Sequence, residues 1–325
     1  MINQFRSLNP LNLLLLFVFT FFMRLAIFVD LPADLQFELL ESYAKFLLTI
    51  PVNSLSATGN VLLAGLVVFI QAILFNRVIN NHNLLSKPGY LPALLYVTSA
   101  SLFMPFLILS PALICNFLLI WIMDKFLKVG KSPNAVMIMF DAGMIIAIGT
   151  LVYFPFIVMG VMLWLTLLLY RSFSWREWIS GLVGFLTIFF FVGVYYYWND
   201  SLSLFYKIWL PLGNKFPSAF KINYNDYLVL VPVTLMIVLA SLQLWENFFR
   251  SFISTRKAFQ MLFFMFIISI LSFYTKSDFR IYHFLMCVPP GSVLLAYYFS
   301  NARKRWFYES LFLSLVFAIQ YFLLV

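Results

Sequence analysis

Two clusters of ionisable residues interrupt a chain that is otherwise mostly apolar. The first is Arg24, Asp30, Asp34, Glu38 and Glu41; the second is Lys276, Asp278, Arg280, Tyr282 and His283, followed by Pro289-Pro290-Gly291. A carboxylate beside a low-dielectric wall is pushed toward its protonated form and can take a proton from a hydroxyl. Asp30 is the first candidate for such a general base, and Asp34 is the second. A guanidinium bonds phosphate oxygens in pairs and keeps its charge. Arg280, with Lys276 and Arg24, therefore forms a candidate set for holding a phosphate. Tyr282 and His283 are further candidates beside Arg280. Asp30 and Asp34 together could also offer oxygens to a divalent cation. His82 and His283 have no metal-ligand spacing, and no other cofactor is implied.

Each of these residues also has a plainer role. Asp30 fits an acid at the end of a span or the cap of a following helix. Arg280 fits a snorkelling side chain, with its stem in lipid and its head in water. His283 fits a hydrogen bond between helices. Asp141 sits within an apolar run, where an acid costs about 2.5–3.5 kcal/mol on insertion scales. It is expected to bond to a neighbouring helix. Having few ionisable companions, it does not suggest a proton or ion relay.

The elements that must position these residues follow from composition. Of 325 residues, 63% are hydrophobic and 10% charged, with a mean hydropathy of +0.96. Soluble domains carry roughly 25% charged residues. The expectation is all-α: a polytopic membrane helix bundle forming a single integral membrane domain over residues 1–325. The formal net charge of +9 reflects the excess of Lys and Arg in loops facing the cytoplasm, not nucleic-acid binding. Cys115 and Cys287 lie in apolar runs and read as small hydrophobes.

Spans of about 20 apolar residues are expected at about 11–29, 59–77, 91–109, 111–127, 134–151, 154–170, 178–198, 227–245, 258–274, 281–299 and 307–325. Eleven crossings divide the 21 Lys and Arg residues into fourteen on one side and seven on the other. That bias predicts an inside N-terminus, an outside C-terminus and a multi-pass location in a cell inner membrane. Both ionisable clusters then lie at the outer face. Residues 34–48 are expected to form an amphipathic interfacial helix in the first outer loop: Leu35, Leu39, Tyr43, Phe46 and Leu47 recur at helical spacing, opposite Asp34, Glu38, Glu41 and Lys45. The second outer loop, about 199–226, is expected to lie along the surface with its aromatic residues at headgroup level.

This layout resembles the GT-C superfamily of polyprenyl-phosphate-dependent membrane glycosyltransferases. The resemblance is carried by the first span ending in Arg24 and then Asp30, and by the breaks at Ser110-Pro111 and Tyr153-Phe154-Pro155. It also rests on the Arg171-Ser172-Phe173-Ser174-Trp175-Arg176 loop and the Arg280-Ile281-Tyr282-His283 stretch leading to Pro289-Pro290. The resemblance implies that Asp30 is the catalytic acid and that Arg280 faces a lipid phosphate. The implied partners are a polyprenyl-phosphate sugar lipid, membrane lipids and other membrane proteins. The first outer loop is shorter than in typical members and lacks their paired acids. Two other readings stay open: a non-catalytic GT-C-like subunit of an envelope assembly, and a lipid or glycan transporter.

Overall fold

The computed structural model describes residues 1–29, 56–85, 87–209, 230–247, 252–275, 281–302 and 304–324. Among these residues all regular structure is helical, with no strand. Six helical stretches are long and apolar enough to cross a membrane: Leu11–Phe28, Ala57–Asn81, Trp175–Trp198, Ile253–Thr275, Ile281–Asn301 and Arg305–Leu323. The expected amphipathic helix at 34–48 lies outside the described residues.

The six match six of the eleven expected spans, and four of the other five differ for visible reasons. The run at 91–109 is helical only as α4 (Leu91–Ser99). Nine residues rise about 14 Å, half of the hydrocarbon thickness. Beyond it the chain turns through a short 3-10 segment, Met104–Phe106, with Pro105 inside it. Helix α5 (Pro111–Val129) is long enough but carries Asp124, Lys125 and Lys128. Helix α6 (Val136–Val152) is a little short, and Phe154–Tyr170 divides into a 3-10 segment and α7 (Gly160–Tyr170). Helix α10 is described over Leu230–Asn247, overlapping the expected 227–245 region.

The remaining helices are α1 (Ile2–Phe5), α2 (Leu11–Phe22), α3 (Ala57–Asn81), α8 (Trp175–Trp198), α9 (Leu202–Lys207), α11 (Ile253–Leu271), α12 (Val288–Asn301) and α13 (Arg305–Leu324). Their ends follow local chemistry. The hydroxyls of Ser56 and Ser110 accept the amides of Gly59 and Leu113, opening α3 and α5. Asn83 and Asp200 adopt the left-handed conformation (φ 51° and 49°) just after α3 and α8. There the amides of Leu84 and Ser201 reach back to the carbonyls of Ile79 and Tyr196.

Helices α4 and α12 form the centre. Every residue of α4 is buried, as are Val288 to Phe299 of α12. A helix apolar all round belongs inside a bundle. The two pack on each other, with α3, α5, α10 and α11 around them. Helices α6 and α8 form the tightest pair. A Cβ built on Gly143 would lie 2.0 Å from the Gly181 carbonyl, and one on Gly184 would lie 2.1 Å from the Phe140 carbonyl. Only hydrogen at these positions lets the backbones approach so closely. Asp141, on the same helix as Gly143, pairs with Lys125 of α5 at 2.5 Å. The expected bond to a neighbouring helix is present, as an ion pair. The chain after α8 folds back on it: Ile208 is fully buried and Trp209 lies 4.7 Å from Phe189, ring to ring. Most described residues of this loop, Leu202 to Leu204 with Tyr206 and Lys207, are exposed as expected, while Ile208 turns inward and fills a cluster with Ala147, Leu151 and Val192.

The basic loops gather at one end. Arg6 donates to the carbonyls of Phe299 and Ala302 and stacks 4.4 Å over the Tyr308 ring. The Met1 amine pairs with Glu309 at 2.8 Å, and the Tyr90 amide donates to the Phe5 carbonyl at 2.8 Å. His82 meets Asp124, which also pairs with Lys128. Arg171 binds the carbonyls of Val129, Ser132 and Pro133 and the Glu177 carboxylate. The opposite end is made of 3-10 segments, Met104–Phe106, Phe154–Met159, Ser272–Thr275 and Ile281–Cys287, which touch one another.

Two predictions follow from packing and from burial. Gly143→Leu should lower stability by about 2–3 kcal/mol or more through overpacking, read as a fall in thermal midpoint in detergent. Gly160→Ala should be neutral, since nothing lies within 4 Å of the added carbon. Burial holds the His82 imidazole below its usual 6.5, against the pull of Asp124. Folding thus favours the neutral ring: stability is complete above the unfolded value and declines as pH falls below it. The thermal midpoint should drop between pH 7 and 5, and drop less in His82→Gln.

Candidate functional site

Four of the sequence candidates, Asp30, Asp34, Lys276 and Arg280, lie outside the described residues. Arg24, Tyr282 and His283 are described, and all three belong to the 3-10 end. Arg24 follows α2 in a turn closed by its own amide to the Phe21 carbonyl at 3.0 Å. Its side chain is fully buried. One nitrogen, Nη1, donates to the Thr20 carbonyl at 3.1 Å. Nε and Nη2 have no partner among the described residues.

The notch that admits this side chain is Gly65 of α3. A Cβ there would meet Arg24 Cδ at 3.1 Å and Nε at 3.2 Å. Guanidinium carries five N–H donors and no acceptor. Leaving most of them unused in a dry interior costs far more than leaving them in water. An anion at Nε and Nη2 would complete the group.

Tyr282 and His283 are brought together with a residue that the sequence reading did not select. Tyr153 closes α6 in extended conformation ahead of Pro155. Its hydroxyl and His283 Nδ1 form a short hydrogen bond, with both side chains buried. The Tyr282 ring lies 5.0 Å from the imidazole and 6.2 Å from the Tyr153 ring. The segment bearing them is anchored by Asn116 of α5, whose Nδ2 donates to the Leu285 carbonyl at 3.1 Å. A helix-breaking Tyr-Phe-Pro sequence was the available signal for Tyr153. Nothing in the sequence paired it with a histidine 130 residues away.

Buried amides supply other links near the breaks. Asn60 Oδ1 accepts the Leu109 amide at 2.9 Å. Gln71 Nε2 donates to the Leu113 carbonyl at 2.6 Å, and its Oε1 accepts the Tyr96 hydroxyl at 3.0 Å. Among the described residues no group of three or more His, Cys, Asp or Glu could hold a metal, and neither Cys115 nor Cys287 forms a disulfide. Two cavities, of about 1260 and 520 Å³, lie at the basic end, away from Arg24 and His283.

A helix bundle of this length and apolarity, with several membrane-length helices, defines a helical membrane protein. Residues 35–325 match a family described as a family of unknown function, DUF6427, and the chain belongs to that family. No curated protein and no solved structure matches the chain.

The Tyr153–His283 bond should be structural as well as local to the candidate site. Tyr153→Phe removes one partner of a buried pair, at a cost of about 1–3 kcal/mol. Thermal unfolding in detergent should show that loss, and the double variant Tyr153→Phe/His283→Leu should recover part of it.

Proposed function

We propose that this protein is a glycosyltransferase of a cell inner membrane that takes sugar from a polyprenyl-phosphate donor at the outer face. In this reading the chain crosses the membrane eleven times, residues 91–109 doing so as α4 together with the broken segment beyond it, with its N-terminus inside and its C-terminus outside. The gathering of the Arg- and Lys-bearing loops at one end supports that orientation, because such loops stay in the cytoplasm. The observation that carries the functional reading is Arg24: a buried guanidinium, mostly unbonded among the described residues, six residues before Asp30 and suited to an anionic ligand entering from the membrane. Phosphate is the anion whose geometry a guanidinium fork matches best in such surroundings.

The reaction is an inverting displacement. The Asp30 carboxylate takes the proton of an acceptor hydroxyl. The hydroxyl oxygen attacks the anomeric carbon as that carbon's bond to the phosphate oxygen breaks. The bonding electrons leave with the polyprenyl phosphate. Arg24, with Arg280 and Lys276, offsets the charge that develops on it, a stabilisation that gains strength where water is excluded. Asp34 is the alternative base. Tyr282 and His283 shape the wall next to Arg280 in sequence.

Two variants separate binding from chemistry. Arg24→Met should bind synthetic polyprenyl phosphate about ten- to a hundredfold more weakly by native mass spectrometry, since it removes a charge-assisted contact. It should nevertheless unfold at the same temperature or higher, because a costly buried charge is gone. Asp30→Asn should retain lipid binding and lose transfer, seen as accumulation of lipid-linked sugar in cells. Transfer at the wild-type rate in Asp30→Asn would exclude Asp30 as the base. Absence of polyprenyl phosphate binding to the unaltered protein would end the proposal.

A further inference from the structure

The larger cavity lies at the basic end, and the outer-face reaction makes no use of it. Its volume of about 1260 Å³ exceeds the roughly 300–1,000 Å³ of ordinary small-molecule sites. Its charged and hydroxyl-bearing groups come from separate parts of the chain. Lys131 comes from the turn between α5 and α6, Glu246 from the last turn of α10, and Ser254, Thr255 and Lys257 from the first turns of α11. His82, just past the end of α3, completes the set.

The chemistry of this lining is specific. Helix α11 begins at Ile253 with no side-chain cap from Phe252. Its first amides therefore lack intrahelical acceptors and form the positive end of the helix dipole. Lys131 and Lys257 add two charges on the same cavity, against one from Glu246. An independent observation comes from His82. Its side chain is 6% exposed, and Nε2 faces the Asp124 carboxylate at 2.9 Å. A carboxylate only accepts, so Nε2 carries the proton and Nδ1 is left as an acceptor. Nδ1 has no partner among the described residues. The cavity thus combines donors and positive charge for an anion with acceptors, His82 and Glu246, suited to hydroxyl groups.

We propose that this cavity binds a hydroxylated phosphate ester of the glycerol-phosphate or sugar-phosphate type, with Lys131, Lys257 and the start of α11 holding the phosphate. The same chemistry could arrive as a soluble ester or as the head group of an anionic lipid. The site stands apart from the 3-10 end and does not depend on the glycosyltransferase reading.

The test uses the purified full-length protein and has two arms. In the first, glycerol 3-phosphate is titrated in detergent by calorimetry, with glycerol as the blank. In the second, the protein is placed in phosphatidylglycerol or phosphatidylcholine nanodiscs, and retained lipid is read by native mass spectrometry. Binding in the first arm identifies a soluble ester; selective retention of phosphatidylglycerol in the second identifies a lipid. In either arm Lys131→Gln/Lys257→Gln should lose at least about tenfold in affinity. Lys304→Gln, the same change at an exposed position outside the cavity, should stay within about twofold of the unaltered protein. No binding in either arm, or equal binding by the double variant, overturns the proposal.

Discussion

An apolar surround leaves a free backbone group nowhere to turn, and this constraint governs the whole bundle. Long helices satisfy it internally. The interrupted ones do not, and at their breaks the protein supplies partners from elsewhere. Asn60 receives the Leu109 amide, and Asn116 holds the Leu285 carbonyl. Each amide sits on a neighbouring helix, so the same bond that mends a break also fixes where the broken segment lies. The 3-10 end can therefore be irregular without becoming loose.

The two ends of the molecule solve different problems. At the basic end, charged side chains tie loops together: Arg6 grips the end of α12, Arg171 the turn after α5, and Asp124 bridges His82 and Lys128. At the other end, Arg24 is buried and left with donors unused among the described residues. Between the ends, the glycine-lined contact of α6 with α8 keeps two helices locked while Lys125 and Asp141 join α5 to α6.

Composition alone made the helical membrane class legible, because too few charges remain to coat a soluble surface. Hydropathy located the membrane-length helices well. It misread the stretch at 91–109, where Pro105 and the turn after Ser99 divide an apolar run that no window average distinguishes from a helix. Asp141 was readable as a residue in need of a partner, but Lys125 as that partner was not, since it depends on how α5 and α6 are rotated. The same limit hid Gly65 as the notch for Arg24, and Tyr153 as the mate of His283. Spacing along one chain reports faces of one element, whereas these pairs are set by how separate elements pack.

The bond between Tyr153 and His283 joins positions 130 residues apart, and Arg6 holds carbonyls almost 300 residues downstream. During synthesis, the end of α6 and the N-terminal segment are therefore made long before their mates exist. Closure of such distant contacts is slow compared with local helix formation. Helix α12, on which α4, α10 and α11 pack, is made late, so the final fifth of the chain is the keystone of the whole.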